Sequence, residues 1–323
     1  MTDWRPTATV QAARNRAAIL RRVRDYFEVH DVLEVDTPAL SPYAVSDTQI
    51  ESLEIGTSLV SRRPMYLHTS PEFCMKRLLA AGYPDIFSVC RVFRDGESGR
   101  HHQPEFTMIE WYRLNFDLRA IIDDTLNLIN TALDSDRFAE NHVVLDYQDV
   151  FVEAIGVNPL TADIQELVNA AQADEPLMQS IGEEHDDWLD FLLATRVAPL
   201  FAADQLTVLR HYPASQAALA RLCPDDTRVA DRFEVFLGTV ELANGFVELT
   251  DADELSKRIQ ADDEVRRRRG LSLRPHDNSL HAAMQSGLPC SAGVAIGLER
   301  LQMIHDATDD IRNVVSFSFE AHE

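Results

Sequence analysis

Positive charge is scarce in this sequence: 30 lysines and arginines face 53 acids, leaving a formal net charge of -23. Such a surface repels polyanions, which argues against a broad nucleic-acid footprint unless cations are concentrated in one cleft. Cysteine is nearly absent. Cys74, Cys90, Cys223 and Cys290 lie far apart with no C-x-x-C pair, so the spacing indicates neither a disulfide framework nor a zinc site. Reduced, mostly buried thiols in a cytoplasmic protein are the expectation. Met1, Thr2, Asp3 and Trp4 lack the apolar core of a signal peptide, and no run approaches membrane-spanning length. What the chain does have is 323 residues, 45% of them hydrophobic, with glycine and proline scattered, which is enough for a large folded core.

The informative stretch is Phe93–Arg113, FRDGESGRHHQPEFTMIEWYR. It leaves an alternating segment, Ile86–Phe93, through a polar loop at Asp95, Gly96, Glu97, Ser98 and Gly99, and returns as a second alternating segment, Glu105–Tyr112. This reads as two strands and a long loop. Period-two geometry places Phe106, Met108, Glu110 and Tyr112 on one face and Glu105, Thr107, Ile109 and Trp111 on the other. An acid among apolar neighbours is costly unless something meets it. Arg94 or Arg113 could do so internally, and so could a cationic ligand.

Around this stretch the spacing predicts a helix over Val10–His30, with Arg14, Arg16, Arg21, Arg22 and Arg24 on a solvated face, then a short strand, Val32–Val35, halted before Thr37 and Pro38. Leu53–Ile55 and Met65–Thr69 read as strands. Ser70 then caps a helix that runs to Ala81, with Pro71 in its first position and Glu72 favoured by the dipole at the rim of a sheet, where it can meet an amine. Beyond Arg113, helical patterns at Leu118–Ala132, Ala162–Ala173 and Asp186–Leu200 make residues 115–204 a helical insert within one domain spanning 1–323. His185 reads as a surface residue and Trp188 as a core residue. Leu206–His211 resumes a strand.

A hairpin is expected over Phe233–Phe236 and Val240–Leu242, in a region where Glu234, Glu241 and Glu248 recur every seven residues. Gly238 and Gly245 argue against one continuous helix. Acids brought together on adjacent strands tolerate each other when a cation such as magnesium lies between them, although solvated acids are the plainer account. Asp251–Arg269 reads as a helix whose terminal Arg266, Arg267, Arg268 and Arg269 complement its dipole. In GVAIGLERL, Gly293–Leu301, two glycines admit a ligand close to the backbone, and Arg300 offers forked donors to a polyphosphate.

In this order the segments resemble the catalytic core of a class II aminoacyl-tRNA synthetase, most of all lysyl-tRNA synthetase. Pro38 after the long helix looks like motif 1, FRDGESGRHHQPEFTMIEWY like motif 2 and GVAIGLERL like motif 3; SPE at Ser70–Glu72 and ELANGF at Glu241–Phe246 add to the match. The resemblance implies an α+β fold, a mainly antiparallel sheet of six to seven strands flanked by helices. The core starts almost at Met1, without the anticodon-binding OB-fold of a lysyl-tRNA synthetase. That layout, with YPASQAALA at Tyr212–Ala220, resembles the elongation factor P lysine ligase family, which attaches lysine, preferably its β-isomer, to a lysine side chain of elongation factor P.

The resemblance implies ATP as co-substrate, with Arg94 on the α-phosphate, Phe106 stacked on adenine, Arg300 on the γ-phosphate, and Glu234 and Glu241 holding Mg2+. Asp95, Gly96, Glu97, Gln103, Leu242 and Gly297 complete the ATP site by the same resemblance. Glu72 and Glu110 would face the amino group near the carboxylate, and Tyr112 with Glu248 the terminal ammonium, with Ser70 and Pro71 also lining the substrate site. Ala295 stands where the synthetase has glycine and would reshape the amino-acid pocket. Two positions depart from the pattern: the family's FRNE is Arg94–Glu97 with Gly96 inserted before the acid, and Gln103 replaces an asparagine. The partners implied are lysine or (R)-β-lysine, elongation factor P instead of tRNA, no membrane, and a second copy of the chain through motif 1. A lysyl ligase for tRNA or a small molecule, or a catalytically silent amino-acid sensor, are the alternatives.

Overall fold

A computed structural model describes residues 4–57, 59 and 61–319; the readings placed on Met1, Thr2 and Asp3 lie outside them. The apolar stripe of the first helix, α1 (Val10–Val29), buries Ile19, Val23 and Phe27, and the Thr9 side chain caps its start by accepting from Ala12 N. Two short strands follow, β1 (Leu33–Glu34) and β2 (Leu40–Ser41), then β3 (Glu54–Ile55), β4 (Met65–Leu67) and α2 (Glu72–Ala80). The predicted pair around the polar loop appears as β5 (Ile86–Phe93) and β6 (Glu105–Leu114), followed by α3 (Leu118–Leu133) and β7 (His142–Asp146). The middle of the chain carries α4 (Tyr147–Ile155), α5 (Ile164–Ala171), α6 (Glu175–Ile181) and α7 (His185–Leu192). It then returns to strands β8 (Leu206–Arg210), β9 (Arg232–Leu237) and β10 (Val240–Val247), and ends with α8 (Ala252–Arg268), α9 (Asn278–Gln285), β11 (Ser291–Gly297) and α10 (Leu298–His305).

The main sheet has the order β1-β5-β6-β11-β10-β9-β8-β7, antiparallel throughout except where β1 pairs with β5 and β7 with β8. It therefore has eight strands and not the six to seven expected. One addition, β1, is only two residues long, and the other, β7, comes from the segment read as helical. A separate three-stranded sheet, β2-β4-β3, lies beside it. One face of the main sheet is closed by α1, α3 and α10 over a core that includes Phe27, Ile109, Trp111, Phe233 and Val294. The indole of Trp111 donates to Asp124 Oδ2 at 3.0 Å, so its polar atom is satisfied inside that core. Replacing this side chain with alanine would cost roughly 3–5 kcal/mol. A second core, centred on Tyr147, Phe151, Trp188 and Leu192, joins α4, α5 and α7 to the far edge of the sheet.

Several local expectations change. Residues 186–200 do not form one α-helix: after α7 the backbone widens to a π-turn at Leu193–Val197 and tightens to a 3-10 turn at Ala198–Leu200, where Pro199 has no N–H to continue the ladder. The α1 arginines are not merely solvated, since Arg16 bonds Glu299 and Thr107 and Arg22 bonds the Ala132 carbonyl. At the end of α8, Arg266 is buried against Glu51, and Arg268 and Arg269 reach Glu184 and Asp187. These are cross-links between distant segments, which a dipole argument on one helix does not reveal. Of the four free thiols only Cys223 is buried; Cys290 is exposed. Among the described residues no helix is long and apolar enough to cross a membrane.

Candidate functional site

Because neighbouring strands are in register, the inner strands of the sheet assemble a site in rows. Glu110 of β6, Ala295 of β11, Asn244 of β10 and Glu234 of β9 stand side by side, and the next row is Tyr112, Gly293, Phe246 and Arg232. The alternate residues, among them Ile109, Trp111, Val294, Ile296, Val235 and Phe233, enter the core beneath. The face division read from the β6 sequence is thus the observed one. Above the rows opens a cleft of about 1500 Å³, lined also by Ser70, Pro71, Glu72, Arg94 and Arg300. A volume of this order exceeds that of a typical small-ligand pocket and suits two substrates held together.

One irregularity fixes which acids reach the cleft. The register between β9 and β10 shifts between Glu241 and Ala243, so two consecutive residues, Leu242 and Ala243, both lie in the core. A bulge of this kind resets side-chain parity. Glu241 and Asn244, an odd number of residues apart, therefore both line the cleft. Leu242 borders the cleft, but its side chain belongs to the core.

One end of the cleft is buried and acidic. Ser70 Oγ donates to Glu110 Oε2 and Tyr112 OH donates to Glu110 Oε1, both at 2.7 Å. The internal partners considered from sequence are elsewhere: Arg113 pairs with Asp85 at 3.2 Å and Arg94 with Glu97 at 3.4 Å. Burial pushes the Glu110 carboxyl up to about 7, with the charge of Glu72 adding to the effect. The Ser70 hydroxyl also accepts from Glu72 N at 2.9 Å; the helix begins at Glu72 with Pro71 as its cap, one position later than the sequence suggested. Lys76, one turn beyond Glu72, sends its Nζ to Glu72 Oε1 and Glu248 Oε2, each at 2.6 Å. Burial also pushes Glu248 up, to about 8, in spite of Lys76. Gly293 is required here, because a Cβ would lie 2.5 Å from both Glu248 Oε1 and the Tyr112 ring.

The other end is cationic and more open. The Arg94 guanidinium lies over the Phe106 ring, 5.1 Å from its centroid. Arg300 donates to the Glu241 carbonyl at 2.9 Å, faces Glu241 Oε2 at 3.6 Å and meets His102 Nε2 at 2.7 Å. Asp95 accepts from the N–H of Gly96, which has φ +78°, the left-handed conformation natural to glycine. Gln103 is buried and accepts from Phe319 N at 2.6 Å. Glu234 accepts from Arg232 and from Tyr212 OH, each at 2.6 Å; burial, with the neighbouring charge of Glu241, raises it to about 7.

The sequence reading missed Lys76, Tyr212, Arg232, Asn244 and His102. Only Lys76 left a local signal, its four-residue spacing from Glu72 on a helix; the rest depend on strand register or chain folding. Outside the cleft, His211, Cys223 and Asp231 bring one potential ligand atom each within 4.8 Å, from segments whose spacing carries no metal signature. Asp231 there is already paired with Arg221 at 2.7 Å.

Residues 1–321 match the family of tRNA synthetases class II (D, K and N). The chain is 42% identical over 321 residues to the "Elongation factor P--(R)-beta-lysine ligase" of Pseudoalteromonas translucida (strain TAC 125), which covers 97% of each chain. It is 42% identical over 322 residues to the protein of the same name from Sodalis glossinidius (strain morsitans) and 40% identical over 321 residues to that of Histophilus somni (strain 2336), with 98% of each chain covered. An eight-stranded sheet bearing motif 2 and motif 3 on adjacent strands, over a cleft with acids at one end and arginines at the other, agrees with that match. The chain belongs to the class II tRNA synthetase family, in its aspartate, lysine and asparagine group.

Proposed function

We propose that this chain is an ATP-dependent ligase that activates lysine, preferentially (R)-β-lysine, as an aminoacyl-adenylate and transfers it to a lysine side chain of elongation factor P. The observation that carries the reading is the union, on one sheet face, of a buried acidic pocket at Glu72, Glu110 and Glu248 with an open cationic end at Arg94 and Arg300. The relatives named above supply the acceptor and the isomer. Both chemical steps follow from charge. The substrate carboxylate attacks the α-phosphorus of ATP, forming a C–O–P linkage and releasing pyrophosphate. The neutral amine of the acceptor lysine then attacks the carbonyl carbon, forming the amide and releasing AMP. Neither step demands much of a protein base at the adenylate; both demand orientation and cations around phosphate.

Arg94, released from Glu97, would meet the α-phosphate, and Phe106 would offer a ring face to adenine. Asp95, Gly96, Glu97, Gln103 and Gly297 would surround the base and ribose. Arg300 would leave Glu241 for the γ-phosphate. Glu234 and Glu241 fit a divalent cation, since both carboxylates line the cleft and the charge of Glu241 adds to burial in raising the proton affinity of Glu234. Magnesium bound there would neutralise polyphosphate charge. Glu72 and Glu110 would take the amino group near the carboxylate, and Tyr112 and Glu248 the terminal ammonium. Ala295, in register between Glu110 and Asn244, would set the depth at which a displaced amino group sits. A symmetric dimer through the segment around Pro38 is part of the reading, supported by the exposed apolar Val29 and Leu33 beside it. The cytoplasm is the expected compartment.

Amino-acid-dependent pyrophosphate exchange, followed by transfer of labelled β-lysine, tests the assignment. The expected result is exchange with β-lysine and label on elongation factor P but not on tRNA. Absence of exchange with both isomers refutes the reading, and label on tRNA replaces it with that of a lysyl-tRNA ligase.

A further inference from the structure

Lys76 has no role in the site as inferred above, yet it sits at the centre of the pocket. Its ammonium is 2% exposed, touches Glu72 and Glu248 at 2.6 Å each, and lies 5.4 Å from the centroid of the Phe246 ring. A lysine placed this way usually loses its proton, because burial opposes the charge. Here Glu248 and Glu72 outweigh burial and hold its pKa above the ordinary value. The counterions are unequal in what remains to them. Glu248 Oε1 is buried with no hydrogen-bond partner among the described residues, and Glu110 is bonded only by the neutral hydroxyls of Ser70 and Tyr112. Three carboxyl groups, Glu72, Glu110 and Glu248, thus surround one internal ammonium; with all three ionised two negative charges are unmatched, and Glu110 and Glu248 hold on to protons until cations meet them.

We propose that Lys76 is a positioning residue for the amino-acid substrate: it fixes the Glu72 and Glu248 carboxylates and leaves the pocket two negative charges, the complement of an aminoacyl group with two ammoniums. The inference rests on the functional reading above and deepens it. A diamino acid whose carboxylate has become a mixed anhydride carries two positive charges, and the residual charge of the pocket matches it. A monoamino acid would leave one carboxylate unpaired in a buried site, so the same arrangement discriminates by charge count as well as by shape.

The chain contains lysine only at positions 76 and 257, and Lys257 is 74% exposed. Protein labelled with 13C,15N-lysine therefore gives two side-chain signals, one for the buried ammonium and one for a solvated side chain. Titrating intact protein with unlabelled β-lysine in the presence of a non-hydrolysable ATP analogue should shift the Lys76 signal to saturation and leave Lys257 in place. In pyrophosphate exchange, Lys76→Met should raise the amino-acid KM at least about tenfold with the ATP KM within about twofold, and Lys76→Arg should recover part of the loss. Saturable binding with an unmoved Lys76 signal overturns the inference, as does a folded Lys76→Met protein with an unchanged amino-acid KM. If Lys76→Met does not fold, the titration decides alone. Absence of exchange in the unaltered protein overturns the functional reading and this inference with it, whereas normal exchange with an unmoved signal overturns the inference alone.

Discussion

The two ends of the cleft solve opposite problems with the same sheet. At the amino-acid end, Glu110, Tyr112, Glu248 and Lys76 are all at most 3% exposed and already bonded or ion-paired to one another. At the proposed nucleotide end the side chains of Arg94 and Arg300 are 24% and 23% exposed, that of Glu241 is 40% exposed, and each arginine rests on a local acid that, on the proposed reading, it would leave to meet phosphate. A buried charge is expensive to rearrange, so on the proposed reading the first end is preorganised and would select; an exposed one is cheap to move, so the second would close around a flexible polyphosphate. Specificity is thereby concentrated where the protein is rigid, and adaptability where solvent screens the charges.

Substitutions should reveal that asymmetry. The largest effect is expected for Glu248→Ala, which removes the acid bonded to Lys76 and leaves a buried ammonium with one counterion fewer; amino-acid activation should fall about a thousandfold or more. Normal lysine- or β-lysine-dependent exchange in that variant would end the assignment of Glu248 and the claim that this end selects. Arg300→Ala should cost about a hundredfold, read as a raised ATP KM and a lowered exchange rate with the amino-acid KM nearly constant. An equal loss in both KM values would erase the division between the ends.

The smallest effect concerns pH. Glu110 at about 7 and Glu248 at about 8 stand above the ordinary 4.5 of a glutamate, and Glu234 at the other end is likewise raised to about 7. The folded, unliganded protein therefore binds more protons than the unfolded chain in that interval. The stability these groups contribute is fully present below about pH 4.5 and is lost as pH rises through 7 and 8. Lys76, Tyr112 and Arg232, which face them, are held above their ordinary values and keep one charge state across that window. Melting temperature should fall by about 2–4 °C between pH 6 and 9, and a diamino acid should flatten the fall by supplying the missing cations. A slope unaffected by amino acid but removed by Mg-ATP would move the effect to Glu234 and the nucleotide end.

The strands and motifs of this site were legible because period-two alternation and strand-ending residues are local. Ile86–Phe93, the faces of Glu105–Tyr112 and the hairpin around Gly238 all follow from residues adjacent in sequence. The residues that were missed speak across the chain: Arg232 is recognised only once it lies beside Phe246, and Tyr212 only once its hydroxyl meets Glu234. The same limit explains Arg266, read as complementing the dipole at a helix end and found buried against Glu51, more than 200 positions earlier. The internal arginines considered for Glu110 pair elsewhere, for a subtler reason. Opposite charge is the strongest signal in a sequence, whereas two hydroxyls, one on another segment, proved sufficient to hold the empty carboxylate.

The bulge at Leu242 has a consequence best put in terms of a reading frame. A strand has a two-letter alphabet, inward and outward, and an odd step between two residues ordinarily assigns them opposite letters. Glu241 and Glu248 are seven apart and both line the cleft because one additional residue has shifted the frame between them. Straightening the bulge with every residue kept would send either Glu241 or Asn244 and Glu248 into the hydrophobic layer, whereas deleting one residue between the acids would leave an even interval that a regular strand already places on one face. Bulge and odd interval are thus matched to each other, and the seven-residue spacing of the acids is itself the mark of the bulge.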